Sequence, residues 1–390
     1  MSLASEKNDF DFPAYLSVAL GLFIAAFFIL DSAKSINSFY YIFFCAPVIV
    51  FFLKKGPGQL GSIKQNAPTL VLGLHFLAVF FTELDSLNDS FSHLKTCLYL
   101  TTLWLGLEIA SRNALAIARL WHYLAYCSAF VGLYAIAEWF QAYASSSQFI
   151  RVHLYAAASN PVHASFLILT GWLGYWFRYG FAKAMQRGKA WFLATLIMVI
   201  AFALGICIVF QSRSGLVGSS AALLAWLVSG KHRRTIAVAL ILTIAAIWIS
   251  GFYEPLLQRG SSYRFEIWAD ALHHWASECP ILTGCPDNES YLFAGKFEHP
   301  HSAFLSILVD TGLVGIVSFG SFALLYFVYG LKNNSAWFQV SLIGWMGLMT
   351  TSNGLITSPR PLWVYFWIPT ILALVELKRP DTTDSERVTR

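Results

Sequence analysis

The stretch WFLATLIMVIAFALGICIV, residues 191–209, carries no charged side chain and offers no polar face to water. As an α-helix rising 1.5 Å per residue it reaches about 28 Å, close to the ~30 Å of bilayer hydrocarbon. Similar runs recur from end to end. Their cores fall at about 13–30, 39–53, 69–81, 97–110, 120–140, 164–176, 191–210, 216–228, 236–252, 303–326, 338–351 and 362–375. Of the 390 residues, 57% are hydrophobic and only 12% charged, against about 25% charged in a soluble domain. Most of the surface therefore does not face water. The composition excludes a soluble helical protein and predicts an all-α polytopic membrane protein with about twelve transmembrane helices.

Orientation follows from where Lys and Arg collect. One set of alternate loops holds Lys54, Lys55 and Lys64, then Arg112, then Arg178, Lys183, Arg187 and Lys189. It continues with Lys231, Arg233 and Arg234, then Lys332, then Lys378 and Arg379. Those loops, and both termini, are predicted to be cytoplasmic. The opposite loops hold Asp31, then Glu83, Asp85 and Asp89, and then the segment 253–300, the one large hydrophilic region. The chain reads as a single transmembrane domain, 1–390, with one large loop at 253–300 on the side opposite the cytoplasm and a polar cytoplasmic tail at 380–390. A loop of that length is functional more often than connective. The formal net charge of +5 lies in short loops between apolar runs, which argues against nucleic acid as a partner and for membrane lipids. The polar, acidic N-terminal stretch predicts no cleavable signal peptide. Cys45, Cys97, Cys127 and Cys207 lie in or beside apolar runs, whereas Cys279 and Cys285 share the large loop, where they either pair or remain two thiols.

Three places on the predicted outer side carry unusual residues. Within the large loop, residues 262–276 form an amphipathic helix. Ile267, Trp268, Ala271, Leu272 and Trp275 fall on one face, expected to lie along the membrane surface. Glu266, Asp270, His273 and Ser277 fall on the other. Arg264 projects onto the apolar face, in a first turn capped by Ser261 or Ser262. An arginine there opposes the helix dipole unless an anion lies between them. It either snorkels to lipid phosphate or forms a dedicated phosphate site. Next, His299-Pro300-His301-Ser302 opens the tenth apolar run. With Pro at the start of a helix, His301 falls in the first turn, where the dipole keeps imidazole neutral and able to accept a proton from a hydroxyl. The run to Gly330 exceeds one span and is interrupted by Asp310, Gly312 and Gly315, so it starts outside the bilayer or breaks. Third, Gln211-Ser212-Arg213-Ser214-Gly215 makes a tight outer turn. Upstream, Arg151 and His153 precede Asn160-Pro161, a turn signal, and are expected to face the same cavity. No metal motif appears, since His273-His274 diverge on a helix and lack the i, i+4 spacing. Asp85 and Asp89 are the one candidate carboxylate pair, and a solvated loop accounts for them.

An outer-turn arginine (Arg213), a long late loop with Tyr263-Arg264 opening a helix that contains Trp268, and then His301-Ser-Ala-Phe-Leu followed by Asp310-Thr-Gly-Leu-Val-Gly315 resemble the bacterial O-antigen ligase and polymerase superfamily. Ser302 stands where that pattern often has Asn. The resemblance implies a glycosyltransferase-C-like membrane fold and no cofactor or metal. It implies transfer of a glycan from undecaprenyl pyrophosphate to a sugar hydroxyl of lipid A–core in the periplasmic leaflet. It would cast His301 as the base, with Arg213 and Arg264 on the pyrophosphate, and attack opposite the leaving group would invert the anomeric centre. Tyr263, His299, Arg151 and His153 complete the expected substrate-binding set. A repeat-unit polymerase would use similar residues. A lipid-linked-glycan transporter would instead place its charges near the midplane at discontinuous helices.

Overall fold

The computed structural model describes residues 10–55, 66–82, 87–229, 263–285, 291–350 and 354–377, with scattered positions between 237 and 254. Among these residues the fold is all-helical, without β-strands beyond an isolated bridge between Phe293 and Phe297. The helices are α1 (Phe12–Ile29), α2 (Ala33–Lys55), α3 (Ala67–Thr82), α4 (Leu87–Ser111), α5 (Ala114–Ser146) and α6 (Pro161–Tyr175, continued to Gln186). They continue with α7 (Lys189–Val209), α8 (Arg213–Ser229), α9 (Arg264–Glu278), α10 (Ala303–Asn333), α11 (Ala336–Leu348) and α12 (Trp363–Glu376). Eleven of the twelve expected cores coincide with these helices. The ninth, 236–252, falls largely outside the described residues, as do Asp85, the side chain of Asp89, and the tail. Of the described helices, α1, α2, α5, α7 and α10 are long and apolar enough to cross a membrane, while α3, α8, α11 and α12 are shorter and apolar.

Local chemistry sets the boundaries. Asp11, Ser32, Asn113, Asn160 and Ser335 each accept a first-turn N–H at the start of their helices, and Pro161 follows its cap as N1. Small residues let helices close in, as membrane interfaces require. A Cβ on Gly171 would meet the Leu124 backbone at 2.5 Å, and one on Gly344 would meet the carbonyl of Tyr365 at 2.3 Å. Between them one apolar core runs through the bundle, with Trp121 stacked on Trp337 at 3.7 Å. Buried polar groups pair across helices, His75 with Ser318 at 2.9 Å and Tyr326 with Ser341 at 2.6 Å. Large apolar side chains also face outward. Phe130, Leu74, Phe81 and Val317 are each more than half exposed, as lipid-facing positions are.

Two expectations about the large loop change. The amphipathic helix starts at Arg264, with Tyr263 rather than a serine in the cap position, and Ser261 and Ser262 lie outside the described residues. Protein covers part of its apolar face: Ile267 and Ala271 are buried against Tyr291 and Val309, with Trp268, Trp275, Phe293 and Phe297 around them, while Leu272 stays exposed. The tenth run does break. Gly312 has φ 61 and ψ −155 inside α10, a conformation open in practice only to glycine. The following segment to Asn333 is still long enough to span a bilayer. The loop 280–285 stitches the break: Cys285 N–H donates to Val309 O at 2.7 Å, Leu313 N–H to Ile281 O at 3.0 Å, and Val314 N–H to Leu282 O at 3.1 Å. Cys279 and Cys285, which close this loop, are disulfide-bonded.

Candidate active site

α7 ends at Val209 and α8 starts at Arg213, so the chain reverses in three residues. Gln211 takes φ 46 to do so. Ser212 accepts the N–H of Gly215 at 3.1 Å and bonds Ser165 of α6 at 2.8 Å, which ties the start of α8 to the start of α6. The extended segment after α5 is fastened to the same turn. Val152 N–H donates to Val209 O at 3.1 Å, Arg151 Nε to Phe210 O at 2.9 Å, and Gln211 Nε2 to Phe149 O at 3.1 Å. Arg264, the first residue of α9, reaches Ser214 Oγ from Nη1 at 3.4 Å.

These ties enclose a pocket of 230 Å³ lined by Arg151, Arg213 and Arg264, by His301, and by Asn160, Val162, Gln211, Ser214, Phe297 and Thr350. Among the described residues no carboxylate lines it. Its wall also collects the N-terminal ends of α6, α8, α9 and α10, and neither α9 nor α10 is closed by a side-chain cap. Helix N-termini present N–H donors and positive potential. Three guanidinium groups beside four such ends make a site for a multiply charged anion.

His301 does not stand in the first turn of α10. The helix begins at Ala303, with Ser302 at the cap position, and His301 precedes both at φ 53. Its ring packs edge-to-face on Phe297 at 5.7 Å and on His299 at 4.3 Å. It is nevertheless neutral, for a different reason from the one expected. Burial, then the neighbouring His299 and Arg264, lower its pKa to about 4. A neutral imidazole thus sits against a cationic wall, where taking up a proton becomes favourable only beside an anion.

The expected residues fare unevenly. Arg151, Arg213, Arg264 and His301 come together, and His299 adjoins His301. His153 is exposed and does not line the pocket: it would share a side with Arg151 in a regular extended segment, but this one is bent where Arg151 and Val152 are fastened to the turn after α7. Tyr263 is 62% exposed at the head of α9. His163, in the first turn of α6 and not among the expected residues, bonds Tyr365 of α12 at 2.9 Å. Phe297 and Thr350 were not singled out from the sequence, and no local pattern marks them. A second cavity, 550 Å³ and almost wholly apolar, opens between α1 and α5, lined by Phe28, Ile29, Tyr126, Phe130 and Tyr134. Leu154 and Tyr155 roof it, three and four residues beyond Arg151.

Fold and pocket define a class: an all-helical bundle with apolar, membrane-length helices and, at one end, a pocket that sets three arginines beside a neutral histidine. Residues 196–320 match the family described as O-antigen ligase. An O-antigen ligase of Pseudomonas aeruginosa is 28% identical over 352 residues, covering 85% of this chain and 83% of the relative. The chain is thus similar to the O-antigen ligases, in the family's matched segment and, with this relative, over most of its length.

Proposed function

We propose that the protein is an O-antigen ligase, transferring a glycan from undecaprenyl pyrophosphate to a sugar hydroxyl of lipid A–core at the periplasmic face of the bacterial inner membrane. The observation that carries this reading is the pocket that joins Arg151, Arg213 and Arg264 to a neutral His301, with no carboxylate among the described lining residues. The acceptor hydroxyl gives its proton to His301 as its oxygen attacks the anomeric carbon. The bond from that carbon to the phosphate oxygen breaks, and the pyrophosphate leaves with added charge. The arginines and the helix N-termini meet that charge, the role a divalent cation often fills in pyrophosphate chemistry. The imidazolium formed then stands beside the departing anion. Attack from the face opposite the leaving group inverts the anomeric centre.

The apolar cavity under Leu154 and Tyr155 supports a lipid-linked donor, since the segment from Arg151 to Tyr155 leads from the cationic pocket to its roof. Topology supports the sidedness. α6 runs from the pocket to the basic turn at Arg187 and Lys189, and α7 returns, so pocket and basic loops occupy opposite ends. In this reading the chain crosses the membrane about twelve times with both termini in the cytoplasm. The ligase rather than the polymerase is favoured by the relative, a ligase matched over most of both chains. The test is the banding of lipopolysaccharide in a deletion strain. Loss of all long-chain material on lipid A–core, with lipid-linked polymer still made, is the expected result. Capping by single repeats would instead identify a polymerase.

A further inference from the structure

We propose that Cys279, Cys285 and His274 form, once their disulfide is reduced, a binding site for one zinc-type divalent ion. A structural disulfide accounts for two sulfurs in contact. It does not account for what surrounds them. A ring nitrogen of His274 and the two sulfurs all lie within 4.8 Å of one another. Nδ1 of His274 bonds Glu278 at 2.9 Å. Nε2 is buried and has no hydrogen-bond partner among the described residues. The ring is held edge-on by Tyr291 at 5.8 Å, and the Tyr291 hydroxyl is fixed on Ile267 O at 2.9 Å. A carboxylate on one nitrogen with the other left open is how metal-binding histidines are oriented. A buried ring nitrogen without a partner pays its desolvation for nothing in the disulfide state, and a metal would use it.

The ligand set is two thiolates and one imidazole, three protein ligands with a fourth position open, which suits tetrahedral Zn²⁺. Thiolates select against Mg²⁺ and Ca²⁺. Sequence spacing gave no hint, because His274 is followed by cysteines five and eleven positions on, and only the turn at Pro280–Cys285 brings the second one back. That turn does not depend on the S–S bond alone. Gly284 N–H donates to Pro280 O at 2.8 Å, and the three backbone bonds to the α10 break hold the loop from the other side. The sulfurs therefore stay close when the bond opens. The chemistry balances: a dithiol reductant supplies two electrons and two protons, giving two thiols, and the metal displaces the two thiol protons.

The experiment uses the purified full chain, reduced and freed of reductant, titrated with Co²⁺ as a spectroscopic stand-in for Zn²⁺. One equivalent should produce thiolate-to-cobalt absorption and tetrahedral visible bands, both abolished by Zn²⁺. The oxidised protein, His274→Ala and Cys285→Ser should show neither, and Glu278→Gln should bind about 10–100-fold more weakly. Cys97→Ser is the control, since Cys97 has its own histidine, His93 Nε2, at 3.3 Å but no second thiol; its titration should match the wild type. His274→Ala retains both cysteines, so its disulfide reports folding before reduction even if the cysteine variants fold poorly. Absence of cobalt bands in the reduced wild type, or wild-type binding by His274→Ala or Cys285→Ser, overturns the proposal.

Discussion

At the end of the bundle away from the pocket, the chain turns on residues suited to turning. Gly188 takes φ 114 before α7, and Asn334 takes φ 42 after α10. Asn113 and Ser335 cap the helices that follow. At the pocket end the same left-handed region is occupied by Gln211, Tyr263 and His301. Bulky side chains there cost of order 1–3 kcal/mol each. The three stand beside Arg213, beside Arg264 and at the proposed base. One end is built for economy of folding. The other holds strained residues in place because that strain aims an arginine or an imidazole into the pocket.

Two glycines test this contrast most severely. Gly188 and Gly312 both have positive φ. A Cβ on Gly188 meets nothing within 4 Å, whereas one on Gly312 would lie 2.5 Å from the carbonyl carbon and oxygen of Leu282 and 2.6 Å from Gly284 N. Gly188→Ala should therefore cost only its torsional strain, about 1–3 kcal/mol. Gly312→Ala must in addition push the loop off the α10 break, losing the backbone bonds to Ile281 and Leu282. Thermal unfolding in detergent should show a modest drop for the first and loss of folded protein for the second. Equal drops would mean that the break is not a packed element.

The same contrast applies to activity. His301→Ala should lower turnover by roughly 10²–10⁴-fold with donor binding nearly intact. Arg264→Ala should impair both binding and turnover. Arg264→Lys should rescue only part, because an ammonium lacks the planar fork. Arg178→Ala, at the opposite end, should do nothing. Donor binding and turnover measured side by side decide this. Wild-type turnover in His301→Ala removes the histidine from the mechanism, and wild-type behaviour in Arg264→Ala leaves that residue a lipid anchor.

How much of this was readable beforehand depends on the scale of the signal. Apolar runs such as 191–209 announce helices because each is self-contained. Arg213, Arg264 and His301 stood out because charge at an outer membrane edge is rare, and each sits by its own turn. The meeting of four helix starts is a property of packing, so neither Thr350 after α11 nor Phe297 in the hairpin carried a mark. The surface helix misled for the same reason. Its amphipathic pattern shows that one face must be covered, not whether lipid or Tyr291 and Val309 cover it. His153 failed for a simpler reason: alternate residues of an extended segment share a side only while the segment stays regular, and this one is bent to fasten Val152 and Arg151 to the next turn.

The subtlest difference between the two ends should appear in pH dependence. An ordinary histidine titrates near 6.5, but His301 is held at about 4, first by burial and then by His299 and Arg264. In the free enzyme the base is therefore already unprotonated well below neutrality, and kcat/KM should stay flat down to about pH 5.5 where an ordinary histidine would have lost most of its effect. Stability moves the other way. Between pH 6.5 and about 4 the unfolded chain binds a proton at this residue and the folded chain does not, so this contribution falls as pH falls through that window. Arg264→Ala removes one of the groups that lower the pKa. Its acid limb should move up toward 6.5, and the pH range over which stability is lost should narrow. Arg178→Ala should shift neither. Residual activity in Arg264→Ala is enough to read the limb. If the limb already lies at 6.5 in the wild type and does not move in Arg264→Ala, the group that titrates is not His301, and the coupling between the arginine wall and the base is absent.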